Sequence, residues 1–197
     1  MHIARSELIL GGQKSGKSRR AENLAAAWLA GLADRRAVLI ATGEAHDEEM
    51  RARIERHQRE RAQRLPGMVT VEEPHDLAGA VKRHGDARTL LVVDCLTLWL
   101  THWLMPVDVA TAQKFEEKTA QAQDWQAQSA LFFEVLQSAP GPIVLVGNEI
   151  GLGVIPLGGE VRAFVDALGV LNQRAAAACE RVTLMVAGMP VAVKGGA

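Results

Sequence analysis

Short apolar runs alternate with longer amphipathic stretches along most of the chain. The runs that suit strands are Glu7–Leu10, Ala37–Thr42, Met68–Glu72, Thr89–Cys95, Ile143–Asn148, Val182–Val186 and Val191–Lys194. One of them, "TLLVVDC", is nearly all apolar, as a strand covered on both faces must be. Between the first two runs, "RRAENLAAAWLAGLADRR" puts Ala21, Leu24, Ala25, Trp28, Leu29 and Leu32 on one face of a helix. Strand, helix and strand in repetition demand right-handed crossovers. The pattern therefore predicts an α/β fold, a mostly parallel sheet flanked by helices. With 197 residues the chain is long enough for one proper core and short for two, so residues 1–197 are expected to form a single domain. The segment Val107–Gln137 breaks the rhythm. It is rich in Ala and Gln with few strong apolar anchors, which predicts one or two helices forming an excursion at the sheet edge.

Charge and cysteine usage narrow the class. A formal net charge of −1 supplies no pull on nucleic acid or an anionic membrane. The most apolar stretch, "LTLWLTHWLM" from Leu96 to Met105, is about half the length of a membrane span and carries His102, so it reads as a core helix. The start, "MHIARSELIL", is too short and too polar for a secretory signal. Cys95 and Cys179 match no metal-site spacing and read as buried free thiols in a reducing compartment. The expectation is a cytoplasmic protein with no membrane span and no nucleic-acid partner.

Directly after the first strand run stands "GGQKSGKS": Gly11, Gly12, Gln13, Lys14, Ser15, Gly16, Lys17 and Ser18. It satisfies the pattern G-x-x-x-x-G-K-[ST], with a strand before it and a helix after it. Glycines let the backbone turn its N–H groups inward around phosphate oxygens, and the following helix adds its N-terminal partial positive charge. Lys17 is placed to reach the β- and γ-phosphates, and the Ser18 hydroxyl to ligate Mg²⁺. A loop of this kind has an acidic partner at the end of another strand, and Asp94, closing "TLLVVD", fits that position. Asp94 also suits the N-cap of the helix that follows, and the two roles are compatible. The guanine-reading tetrapeptide N-K-x-D of common GTPases is absent, which favours a small-molecule kinase over a switch protein.

The most charged stretch is "HDEEMRARIERHQRERAQR", His46 to Arg64. As a helix it places Met50, Ile54 and His57 on one narrow stripe, which should face the body of the protein and turn His57 inward near Arg53, Arg56 and Arg61. Spacing leaves two roles open: a structural histidine, or a nucleophile close to nucleotide phosphates whose charge the arginines offset.

Taken together and in order, "GGQKSGKS", "ATGEAHDEEMRARIERH", "VVDCLTLWL", "NEIGLGVIP" and "LNQRAAAACERVTLMVAGMPVAVK" resemble the bifunctional adenosylcobinamide kinase / adenosylcobinamide-phosphate guanylyltransferase family. The likeness covers the chain apart from Val107–Gln137. It implies a P-loop NTPase-like, RecA-like sheet and two reactions: phosphorylation of the aminopropanol hydroxyl of adenosylcobinamide, then transfer of GMP from GTP through a guanylylated histidine. By its distance from "DEEM" that histidine corresponds to His57; His46 precedes the motif. The family's phosphate loop corresponds to Gly11–Ser18 and its acidic strand-end residue to Asp94. Asn148 and Glu149 fall on its "NE" motif, where a plain polar turn is the competing reading, and Glu44, Ala45, His46 and Glu72 on places that contact nucleotide. The resemblance further implies GTP or ATP as substrate, Mg²⁺, a corrinoid partner and a homo-oligomer, specifically a trimer.

Some positions depart from the family pattern. Val165 and Val170 stand where arginine is usual, Met68 where tryptophan is, and Leu157–Glu160 is less polar than the family run. Arg162 and Arg174 are candidates to compensate for the lost cations. Two other functions stay open at this level: a plain small-molecule kinase with no covalent nucleotide, and a GTP-binding relative without turnover.

Overall fold

In the computed structural model, which describes residues 3–45, 47–105 and 115–196, seven strands form one sheet. They are β1 (Ser6–Gly11), β2 (Arg36–Ala41), β3 (Met68–Glu72), β4 (Thr89–Asp94), β5 (Ile143–Val146), β6 (Arg181–Val186) and β7 (Met189–Lys194). Six helices accompany them: α1 (Lys17–Leu29), α2 (Glu48–Arg64), α3 (Leu77–His84), α4 (Leu96–Leu104), α5 (Phe115–Ser138) and α6 (Gly159–Ala178). The strand order is β3-β2-β4-β5-β1-β6-β7, so β5 lies between β1 and β4. All pairings are parallel except β6 with β7, a hairpin turned by Ala187 and Gly188. The result is an α/β fold of the P-loop NTPase-like kind, and its mostly parallel sheet flanked by helices is what the alternation of runs predicts.

The period-2 alternation of side chains divides the core between two faces. Leu8, Ile40, Leu91, Val93 and Leu145 point into a layer closed by α3, α4, α5 and α6. Their neighbours Ile9, Leu39, Leu90, Val92 and Val144 point the other way, against Ala21, Leu24 and Ala25 of α1. The central strand β4 is buried along five of its six residues, which is why its sequence is a continuous apolar run. On α1 the expected stripe holds as far as Leu29, where the helix stops; Leu32 lies beyond it and is exposed.

The structure differs from expectation at α5. Its C-terminal half is not an excursion at the edge but part of the core. Phe132 is fully buried, with its ring 5.2 Å from that of Trp99, and Trp125 stacks edge-on to Trp99 at 4.9 Å. The low density of apolar residues in the segment is an average over two unlike halves, and the anchors cluster between Trp125 and Leu136. Phe132→Ala is expected to cost about 3–5 kcal/mol, because it opens a cavity that rigid neighbours cannot fill. A urea titration followed by circular dichroism measures it.

Both cysteines are free and buried. Burial, helped by the charge of Asp94, pushes the Cys95 thiol from 9.0 up to about 11, and burial pushes Cys179 up to about 12. Unfolded thiols ionise first as pH rises, so these groups contribute stability below about pH 9 that is lost toward pH 11. A thiol reagent at pH 8 is expected to find no reactive cysteine in the native protein and both in denaturant.

Candidate active site

Strand β1 ends in the phosphate-type loop, and the backbone there needs glycine. Gly11 has φ 154°, and a Cβ on it would meet the Met185 carbonyl at 2.7 Å. Gly16, at φ 99°, is the residue from which α1 starts. The Ser15 carbonyl accepts from the N–H of Gly188, so the β6–β7 turn props the loop from behind. Inside the loop, Lys17 Nζ donates to the Gly12 carbonyl at 2.7 Å, and the lysine is 9% exposed. Ser15 Oγ is buried and has no hydrogen-bond partner in the protein.

Asp94, the last residue of β4, meets this loop directly: Ser18 Oγ donates to its Oδ2 at 2.9 Å. It does not cap α4. The N-cap is Cys95, with no side-chain bond. The strand ends are locked by Thr42, whose Oγ1 donates to the Cys95 carbonyl at 2.7 Å and accepts from the Cys95 N–H at 2.9 Å. Two oxygen donors at the helix start suit a hard divalent cation that keeps water and phosphate ligands. Among the described residues no cluster of three or more His, Cys, Asp and Glu could hold a metal without such help.

Asn148 and Glu149 follow β5 at the same sheet edge. The Asn148 N–H donates to Thr97 Oγ1 at 2.9 Å, and the Glu149 N–H to the Gly11 carbonyl at 3.1 Å. Buried Asn172 of α6 donates to the Asn148 carbonyl at 3.0 Å, which fixes the turn from below. Beyond it the chain exposes Leu152, Val154, Ile155 and Leu157, an apolar run of a kind that single folded domains seldom leave bare.

A cleft of about 500 Å³ opens beside this edge. Gly43, Glu44 and Ala45 form one wall, Arg51, Ile54, Glu55 and Gln58 of α2 the other, with Glu72 and Pro74 between. Glu44, Ala45 and Glu72, far apart in sequence, are thus brought together; His46 lies outside the described residues. The Glu44 carboxylate sits 3.4 Å from His102 Nδ1 and 3.8 Å from His75 Nε2. His102 Nε2 also lies 2.7 Å from the Thr42 carbonyl, so oxygen atoms face both ring nitrogens. Nothing in the local sequence marks His75 or His102, because the contacts join segments about thirty to sixty residues apart.

The stripe on α2 is shifted from its expected phase. Met50, Ile54 and Gln58 are half-buried and Arg61 is buried, whereas His57 is exposed. Polar Gln58 faces inward because Glu72 accepts from it at 3.1 Å, and Arg61 because Thr70 Oγ1 accepts from it at 3.0 Å. Hydrogen bonding, invisible to an apolar count, moves the inward line by part of a turn. His57 is left on its flank. The two compensating cations are also otherwise engaged. Arg162 donates to the carbonyls of Pro156 and Leu157, and Arg174 donates to Ser129 Oγ at 2.9 Å with its guanidinium over the Phe133 ring.

A parallel sheet with this loop at the end of β1 and an acidic residue across from it defines a P-loop nucleotide-handling protein. Residues 7–193 match the family described as cobinamide kinase / cobinamide phosphate guanyltransferase, and the chain belongs to that family. It is 46% identical over 189 residues to the bifunctional adenosylcobalamin biosynthesis protein CobP of Pseudomonas aeruginosa, across 96% of this chain and 97% of that one. It is 33% identical over 188 residues to the bifunctional adenosylcobalamin biosynthesis protein CobU of Escherichia coli, across 95% and 98% respectively. The CobU protein of Salmonella typhimurium is 32% identical over a stretch of the same length.

Proposed function

We propose that the protein phosphorylates the aminopropanol hydroxyl of adenosylcobinamide and then transfers GMP from GTP to the new phosphate, giving adenosylcobinamide-GDP. The observation that carries this reading is the Ser18–Asp94 pair at 2.9 Å beside the buried Lys17, next to a cleft walled by the histidine-bearing helix α2. Family membership and the names of the relatives supply the substrate.

In the first reaction Gly11–Ser18 wraps the phosphates with backbone N–H groups, and Lys17 leaves the Gly12 carbonyl to neutralise charge on the transferred group. Mg²⁺, held by Ser18 and Asp94, supplies further charge neutralisation when bound. In the second, a ring nitrogen of His57 attacks the α-phosphorus of GTP and pyrophosphate leaves. A phosphate oxygen of the corrinoid then attacks the phosphoramidate, and the imidazole leaves with its electron pair. Glu44, Ala45 and Glu72 offer acceptors and backbone groups to the nucleotide in the cleft, and Asn148 and Glu149 border it. His57 lies on α2, the helix that forms one wall of the cleft.

The protein acts in the cytoplasm in this reading; among the described residues no helix is long and apolar enough to cross a membrane. The bare run Leu152–Leu157 supports assembly into a homo-oligomer, with a trimer as the state the family resemblance implies. Incubation with adenosylcobinamide, ATP and GTP tests the proposal. The expected product is adenosylcobinamide-GDP. A product that stops at the phosphate leaves a plain kinase, and no turnover leaves a nucleotide-binding relative.

A further inference from the structure

Helix α2 has almost no hydrophobic mooring. Among its described side chains only Arg61 is buried, with Met50, Ile54 and Gln58 half-buried. What ties it down is a carboxylate on another helix. Glu22 of α1 is 6% exposed, and its two oxygens accept from Arg64 Nε at 2.9 Å and Nη2 at 3.0 Å. Arg61 Nε stands 3.9 Å from the same carboxylate, while the other end of that guanidinium donates to Thr70 Oγ1 of β3. Its hydrogen bond to Glu22 is the first cause that raises the Arg64 pKa above its ordinary value.

The spacing of these groups has a geometric meaning. Glu22 follows Ser18 by four residues, one turn along the helix that begins at the phosphate loop. On α2, Arg61 and Arg64 follow His57 by four and seven residues, along one edge of the helix. Two cationic pegs on one buried carboxylate fix both the distance of that edge from α1 and the roll of α2 about its axis. A two-pronged guanidinium–carboxylate bond is directional as well as strong. The bonds of Gln58 to Glu72 and of Arg61 to Thr70 set the phase of α2 against β3, and the Glu22 clamp holds its His57-bearing edge to α1, so a loosened clamp widens the range of directions in which His57 points.

We infer that Glu22 is a positioning residue for nucleotidyl transfer: with Arg61 and Arg64 it clamps α2 to the phosphate-loop helix and so sets the reach of His57 toward the bound nucleotide. This rests on His57 being the nucleophile. Phosphoryl transfer to the corrinoid, which uses the loop and not α2, does not need the clamp.

The test uses the full chain and GTP labelled at the α-phosphorus in single-turnover labelling, beside GTP affinity by equilibrium binding and the rate of corrinoid phosphorylation. Glu22→Gln removes the charge, Arg64→Gln removes the partner, and Arg64→Lys keeps charge but loses the fork. Both glutamine variants are expected to label about tenfold more slowly, with GTP affinity within about twofold of wild type and phosphorylation unchanged. Arg64→Lys should fall between, and the double variant Glu22→Gln/Arg64→Gln should be no slower than either single one. A clamp that only stabilises the fold would lower melting temperature and slow both reactions alike, which would overturn the inference. Wild-type labelling rates in Arg64→Gln would overturn it too, and that half-exposed site tolerates substitution if Glu22→Gln does not fold. Wild-type protein that turns over without taking label removes the histidine mechanism itself, a result distinct from labelled protein indifferent to the clamp.

Discussion

Lys17→Ala is expected to lower both phosphorylation and nucleotidyl transfer by about a hundred- to a thousandfold, the loss typical of one preorganised charge-stabilising donor. The lysine is buried under its own loop, with Nζ on the Gly12 carbonyl at 2.7 Å, so its charge already stands where phosphate oxygens would replace that carbonyl. Arg20, nearby on α1, is bonded to Glu7 at 2.8 Å. The fold should survive, because the start of α1 is set by Gly16. Steady-state kcat/KM for each step, with thermal melting as a control, measures the effect. A variant that keeps either step at full rate would mean that the two reactions use different nucleotide sites.

His57→Ala is expected to separate the two reactions. Phosphorylation of adenosylcobinamide should continue near the wild-type rate, while GMP transfer falls by about a thousandfold or more, the loss expected when the proposed nucleophile is removed. Its position on the exposed flank of α2 makes the substitution harmless to packing. Chromatography of the corrinoid products should show the phosphate accumulating with GTP unspent. A parallel fall in phosphorylation would instead give His57 a role in binding.

The apolar pattern carried the sheet because burial on both faces leaves little freedom in sequence. Thr89–Asp94 is legible for that reason, and so is the loop that breaks from Gly11, where a side chain would strike the Met185 carbonyl. Elements held by polar contacts were not legible. The phase of α2 follows from Arg61 on Thr70 and Gln58 on Glu72, and the Glu44–His102–His75 group exists only once the end of β2 meets α4. Arg162 and Arg174 illustrate the same point: their bonds to the Pro156 carbonyl and to Ser129 Oγ join groups that sequence does not pair. Averaging misled at Phe115–Ser138, where a polar first half hid the core residues of the second.

The decisive measurement is the fate of the α-phosphorus. The protein is incubated with GTP labelled at that position, denatured, and digested for peptide mapping. Label stable to alkali, lost in acid, and carried by the peptide holding His57 is the predicted result. Label absent from a preparation that makes adenosylcobinamide-GDP, or retained undiminished in His57→Ala, would contradict a covalent guanylyl-histidine at this site.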